Sequence, residues 1–359
     1  MTSAITPAIS PEPELPAKYQ HKTVTLAHGA GGKAMHDLIH ELFVRVFASP
    51  ELEQLEDQAR FDLEQLSRWG NRLAMTTDSY VVDPLFFPGG DIGMLAVTGT
   101  VNDLAVGGAK PLYLTCGLII EEGLPFADLF RVIQSMKATA DAAGVRIVTG
   151  DTKVVHRGAA DKLFINTAGV GVIPEGIDIR ADRAEAGDAV IINGFIGDHG
   201  AAIVDARGEL ALENNIETDC QPLNSLVEAM LKVCPDIHCM RDATRGGVAT
   251  VLNEFAQASR TTVRIDQKAI PVRTEVRGMC EILGLDPLYL ANEGKLVAIV
   301  PSAQAKQLLH VMREHPAGKY ACQIGVVENG RPGQVIMATG FGGDRLIDVL
   351  VGEQLPRIC

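Results

Sequence analysis

LAMTTD at residues 73–78, MLAVTGTVND at 94–103 and RIVTGD at 146–151 share one pattern, a short apolar run that closes on Thr, Gly and Asp. Such runs read as strands, and the periodicity near 126–143 reads as a long helix between them. Strands therefore alternate with helices from about 72 to 175. The pattern also places Asp78, Asp103 and Asp151 at strand ends within one domain. Mg²⁺ takes hard oxygen ligands and bridges one or two carboxylates to nucleotide phosphates, so three such carboxylates suggest a metal-nucleotide site. One Asp after a strand is more often a turn or helix cap; the repetition is what favours function.

N-terminal to this region, His28-Gly29-Ala30-Gly31-Gly32-Lys33 precedes Met35, Leu38, Ile39, Leu42, Phe43, Val46 and Phe47, whose spacing predicts an amphipathic helix. Backbone N–H groups and a cation at a helix start can cradle phosphate. This loop is no Walker A sequence, because Ala27 and Ala34 stand where that motif needs Gly and Ser/Thr. Residues 1–20 carry four prolines and few large apolar side chains, and read as a disordered arm. C-terminal to it, RADRAEAGDAV reads as a polar hinge, beyond which a second set of strands and helices runs to about 350. The expected organisation is α+β: an arm 1–20, an N-terminal domain 21–185, a C-terminal domain 186–350 and a flexible tail 351–359.

The composition excludes several function classes. Among 359 residues, 47% are hydrophobic and 21% charged, a globular mix. Lys and Arg number 32 against 45 Asp and Glu, a net charge of −13 that argues against a nucleic-acid partner. The sequence shows neither a membrane-spanning apolar run nor a signal peptide, so a cytoplasmic protein is expected. Seven scattered cysteines without a CxxC pair indicate reduced thiols.

Further motifs carry possible chemistry. Arg241-Asp242-Ala243-Thr244-Arg245-Gly246-Gly247, before an apolar helical run, repeats the loop-to-helix logic and adds two arginines; two such loops favour a nucleotide. Lys153 and Glu293 sit beside glycine or apolar strand ends, where burial can tune a proton donor or acceptor, although either taken singly is more often a surface charge. The chain ends on a thiol in Pro356-Arg357-Ile358-Cys359, and its last eight or nine residues, if extended, reach about 25 to 30 Å. The Cys234-Pro-Asp-Ile-His238-Cys239 cluster lacks a second ligand pair and reads as incidental. His199, in Gly197-Asp198-His199-Gly200, is placed at a helix start without an assigned role.

HGAGGKAM (28–35), TTDSYVVDPLFFPGGDIG (76–93), GTVNDLAVGGA (99–109), VTGDTKVV (148–155), GDHG, RDATRGGV (241–248), ANEGKL (291–296) and the terminal PRIC together resemble the hydrogenase maturation factor HypE family. That family lies in the superfamily of aminoimidazole ribonucleotide synthetase and selenophosphate synthetase. The resemblance covers about residues 22–359 and leaves the arm without a role. It implies a two-domain aminoimidazole ribonucleotide synthetase-like fold, dimerising through its N-terminal sheets, with a C-terminal α/β sandwich. It also implies ATP-dependent dehydration of an S-carboxamide on the chain's own Cys359 to an S-cyanide. HypF would supply the carbamoyl group, and the HypC–HypD complex would receive the cyanide for the iron of [NiFe] hydrogenase.

Matched position by position, Asp78, Asp103 and Asp151 correspond to acidic residues around Mg-ATP, and Gly31, Gly32 and Lys33 to the phosphate-covering segment. Asp242 and Arg245 are assigned to the nucleotide as well. Asp103, Lys153 and Glu293 are expected nearest the carboxamide, with Glu293 as base toward nitrogen and Lys153 stabilising the phosphorylated oxygen. Two rivals remain: a selenophosphate synthetase-like phosphotransferase, disfavoured because Cys116 is far from the glycine loop in sequence, and a nucleotide-binding thiol scaffold or metal chaperone.

Overall fold

A computed structural model describes residues 14–208, 216–350, 352 and 355–359. Residues 1–13 of the expected arm lie outside the described residues, but 14–20 do not behave as an arm. Tyr19 is buried beside Phe126, and Leu15 packs against the same core, because an aromatic ring on a short helical turn finds an apolar seat. The glycine loop ends at Gly32, and helix α1 (Lys33–Leu38) continues through a π-helical segment, Ile39–Val44, to Arg45–Phe47. Leu38, Leu42, Phe43, Val46 and Phe47 are buried, as their spacing predicts.

The N-terminal sheet consists of β1 (Arg72–Tyr80), β2 (Lys110–Glu121), β3 (Arg146–Val155) and β4 (Leu163–Ile173), in the order β1-β4-β2-β3. Only the β2–β3 pair is parallel. Helix α2 (Ile92–Val106) and helix α3 (Phe126–Ala143) pack against one another, and α2 covers the inner face of the sheet. The stretch at 94–103 is thus helix, not strand. Asp91 caps it by accepting from the N–H groups of Gly93 and Met94, and nearly every residue of it is buried. A helix enclosed on all sides loses its polar stripe, so its sequence cannot be told from a buried strand by periodicity. Asp103 consequently sits on the last turn of α2. Asp151 likewise lies inside β3 and not at its end.

The outer face of this sheet lacks a covering layer among the described residues. Met75 and Ile119 are 76% and 42% exposed there, and Thr77, Ser79, Asn166, Asp151 and Lys153 share that face by strand register.

The C-terminal half begins with β5 (Ala189–Ile192), α4 (Asp198–Ala206), α5 (Asn224–Val233), β6 (Cys239–Asp242) and α6 (Gly247–Ser259). It continues with β7 (Thr262–Asp266), α7 (Thr274–Leu283), β8 (Leu296–Val300), α8 (Ser302–Glu314), β9 (Cys322–Glu328), β10 (Gln334–Ala338) and β11 (Asp344–Ile347). Seven strands form one mixed sheet in the order β11-β10-β7-β9-β5-β8-β6. The all-buried strands β5 and β8 send alternate residues to opposite sides. Val190, Ile192, Val297 and Ile299 meet α6, while Ile191, Ala298 and Val300 meet α5 and α8. That is the expected α/β sandwich, and residues on the last turn of α2 join the second of these cores, fixing the domains together.

Candidate active site

The loop after β6 and the turn before β8 bring side chains from both domains into one cleft. Its larger cavity, about 610 Å³, is lined by Thr76 and Asp103 from one domain and Asp242, Thr244 and Arg245 from the other. Asp103 accepts from Thr76 Oγ1 at 2.8 Å, and an Arg245 nitrogen lies 3.7 Å from Asp78 Oδ1. Burial, then the Asp103 carboxylate, push the Asp242 carboxyl up to about 7. Asp103 is raised as well, by burial and by Asp78 against the opposing Thr76 bond. Glu293 is buried and held well above the ordinary carboxylate range, first by desolvation and then by Asp219, Asp242 and Asp78; Arg245 opposes them. Its Oε1 is a buried oxygen without a hydrogen-bond partner.

Mutually repelling oxygen donors with raised proton affinity suit a hard divalent cation, which would replace the missing positive charge. Among the described residues no three such side chains stand close enough to hold a metal by themselves, so Mg²⁺ would be held here by Asp78, Asp103 and Asp242 only together with the phosphates of a nucleotide.

Asp151 and Lys153 do not join this group within one chain. Asp78 pairs in register with Thr167, and Asp151 with Gly117, so β1 and β3 hold them three strand spacings apart, about 14 Å. Strand parity also turns Asp151 and Lys153 to the outer face. There Lys153 donates to Asp151 at 3.0 Å, which with a smaller backbone contribution from Thr152 keeps that carboxyl below its usual range. The three-aspartate site expected at strand ends is thus split, because one Asp is helical and another faces outward. Gly31, Gly32 and Lys33 accompany the outlying pair. A Cβ on Gly29 would lie 2.7 Å from the Val154 nitrogen, so only glycine lets this loop rest on β3. Lys33 is exposed and 3.4 Å from Asp37.

The C-terminus also differs from the free tail expected. Residues 351, 353 and 354 lie outside the described residues, but 355–359 occupy the seam between the domains. Ile358 is buried. Arg207 Nη2 donates to the carbonyls of Pro356 and Arg357 at 2.6 and 2.8 Å, and His199 Nε2 lies 2.8 Å from the Ile358 carbonyl. The N–H groups of Val81 and Asp83 donate to Cys359 and Arg357, and Arg357 pairs with Asp161 at 2.9 Å. These five hydrogen bonds contribute about 1 kcal/mol each, and burying the Ile358 side chain contributes about 1.5 to 3 kcal/mol. Ordering residues 355–359, five in all, costs about 1 to 2 kcal/mol apiece. The terms nearly cancel, so the tail is docked yet releasable.

Family models for AIR synthase related proteins match this chain, the N-terminal domain at residues 56–173 and the C-terminal domain at 185–338. Carbamoyl dehydratase HypE of Rhodobacter capsulatus is 57% identical over 336 residues, covering 94% of this chain and 98% of that protein. The chain belongs to the HypE family. A crystal structure of hydrogenase maturation protein HypE in complex with ATP superposes with a TM-score of 0.89 at 52% identity, covering 94% of this chain and all of that one. A HypE–HypF complex superposes at 0.75 with 45% identity, covering 87% and 99%.

Several residues that build this HypE-family cleft escaped sequence reasoning. Asp219 accepts from the N–H groups of Glu293 and Gly294 and from Lys295 Nζ. Burial opposes its ionisation, but the Lys295 ammonium outweighs it and holds the carboxyl low. A Cβ on Gly294 would fall 1.9 Å from the Asp219 carbonyl, which explains the glycine after Glu293. Asn102 joins the domains, donating to the carbonyls of Gln221 and Glu293 and accepting from Leu223 N–H. No spacing rule reveals Asp219. His199 stood in a quoted motif, yet nothing in the sequence showed that its partner is the chain's own end.

The other thiols fit the incidental reading. His238 Nδ1 is 2.8 Å from Asp188 Oδ2, and burial lifts the Cys234 and Cys239 thiols to about 11. Cys116 is buried under α1, where desolvation pushes its thiol up to about 12, a poor setting for a nucleophile. Among the described residues no helix is long and apolar enough to cross a membrane.

Proposed function

We propose that this chain is an ATP-dependent carbamoyl dehydratase of hydrogenase maturation, converting an S-carboxamide on its own Cys359 to an S-cyanide. The observation that carries this reading is the seating of the tail. His199 Nε2 lies 2.8 Å from the Ile358 carbonyl and 4.0 Å from Glu293 Oε1, so the residue next to Cys359 is one side chain away from a buried, unpartnered carboxyl. ATP supplies a phosphoryl group that turns the amide oxygen into a phosphate leaving group, after which the C–O bond breaks and the nitrogen gives up both protons. Asp78, Asp103 and Asp242 would hold Mg²⁺ at the phosphates, beside the Arg245 guanidinium. Glu293, whose carboxyl is held well above its ordinary range by burial and by Asp219, Asp242 and Asp78, is suited to take a proton from the nitrogen in the transition state. Seating in the seam limits the access of water to the reacting carbon.

The open outer face, with exposed Met75 and Ile119, supports homodimerisation through the N-terminal sheets. A two-fold axis along the strands would lay the β3 edge of one copy over the β1 edge of the other. Asp151, Lys153 and the Gly31–Lys33 loop would then serve the neighbouring copy's cleft. HypF is the proposed carbamoyl donor and the HypC–HypD complex the proposed cyanide acceptor, in the cytoplasm.

Cys359→Ala should retain ATP binding and lose all ATP turnover that depends on the carbamoylating partner. Turnover unaffected by this change would favour the thiol scaffold or a phosphotransferase of the selenophosphate synthetase type.

A further inference from the structure

The fully buried ring of His199 meets the tail on one side and the surroundings of Glu293 on the other, outside the nucleotide cavity, and the proposed chemistry leaves it without a task. It sits on the first turn of α4, one residue after Asp198, whose carboxylate is held by Arg273 at 2.8 Å. Its Nδ1 is 2.8 Å from Thr218 Oγ1, and Phe87 meets the ring edge-on at 5.6 Å. Burial lowers its proton affinity, so the ring is neutral and carries a single N–H. The Ile358 carbonyl can only accept, so that N–H is on Nε2 and Nδ1 accepts from the Thr218 hydroxyl. Both ring nitrogens are then satisfied, and the ring can neither turn nor be displaced without losing a buried bond.

We propose that His199 is the positioning residue for the tail, its Nε2–H holding the Ile358 carbonyl so that Cys359 stands in the reacting register beside Glu293. The proposal rests on the dehydratase reading for its consequence and on geometry alone for the docking itself. Arg207 grips the tail two and three residues from its end at an exposed position, whereas His199 grips the peptide carbonyl that leads directly into Cys359. Glu293 Oε1 lies 4.0 Å from the same nitrogen, beyond hydrogen-bond range, so the Ile358 carbonyl is the acceptor that this N–H meets.

The test separates docking from chemistry. Trimming of Cys359 and Ile358 by a carboxypeptidase, followed by intact mass, reads undocking. Single-turnover dehydration of protein carbamoylated at Cys359 reads the reaction. His199→Ala, and His199→Phe, which refills the space without an N–H, should speed trimming about tenfold, the factor that about 1.4 kcal/mol of lost docking gives. Dehydration should slow at least as much, with ATP affinity unchanged, since His199 is no part of the nucleotide cleft. His199→Gln, which retains an amide donor, should stay within about twofold of wild type in both assays. Unchanged ATP affinity also certifies that each variant is folded. Trimming and dehydration unaltered in the Ala and Phe variants, or a Gln variant as impaired as Phe, would overturn the proposal while leaving the dehydratase reading intact. Faster trimming in a protein whose wild type never dehydrates would uphold the seat and refute the dehydratase.

Discussion

Replacing Asp242 by Asn should make the unliganded protein more stable while weakening its hold on nucleotide. Asp242 is 8% exposed at the end of β6, and burial together with the Asp103 carboxylate raises its carboxyl from the ordinary 3.8 to about 7. Between those two values the folded protein keeps a proton that the unfolded chain has already released. A group raised in this way lowers stability as pH rises: the penalty is absent below about pH 4, grows through the window, and is complete above about 7. The gap of roughly 3 at 1.36 kcal/mol apiece gives about 4 kcal/mol at pH 8 and less than half of that at pH 5. A neutral amide of the same shape removes the repulsion. Denaturant unfolding of both proteins without ligand, at about pH 8 and about pH 5, should show the Asn variant gaining on the order of 3 to 4 kcal/mol at the higher pH and distinctly less at the lower. Added Mg-ATP should then stabilise wild type strongly and the variant weakly. Equal stability of the two at pH 8, or a gain that does not change with pH, would refute the idea that carboxylate repulsion prepares this cleft for a cation.

Glu293→Gln should bind Mg-ATP, accept the carbamoyl group and dehydrate it about 10²- to 10⁴-fold more slowly, measured in single turnover; a rate near wild type would move the base elsewhere. Mixing inactive Glu293→Gln chains with inactive Lys153→Ala chains should restore activity, because a mixed dimer in which Lys153 serves the opposite cleft contains one complete site. No recovery after subunit exchange would place both residues in the same chain's reaction or remove Lys153 from it.

The motifs that mark the cleft were legible because loops at strand and helix ends carry chemistry in short, ordered runs. Asp78, Asp242, Arg245 and Glu293 were all found this way, and their convergence needs only the docking of two domains. The secondary structure around Asp103 was not legible, since residues 95–102 are buried on every side and a helix without a polar face mimics a strand. Asp151 and Lys153 show a different limit: one residue of strand parity decides which face a side chain meets, and sequence spacing is silent about it. The tail reads as loose because its apolar residues, Val351, Leu355 and Ile358, are few. Its docking depends on backbone carbonyls meeting Arg207 and His199, and main-chain acceptors are identical at every position of a sequence.

The account's central claim is that the terminal thiol carries the substrate and this protein dehydrates it. Incubating the chain carbamoylated on Cys359 with Mg-ATP and determining the intact mass of the tail peptide tests this most directly. The account predicts that the peptide loses the mass of one water, with one ATP consumed for each tail converted. A carbamoylated peptide of unchanged mass after ATP has been hydrolysed, or water lost without nucleotide, would contradict it.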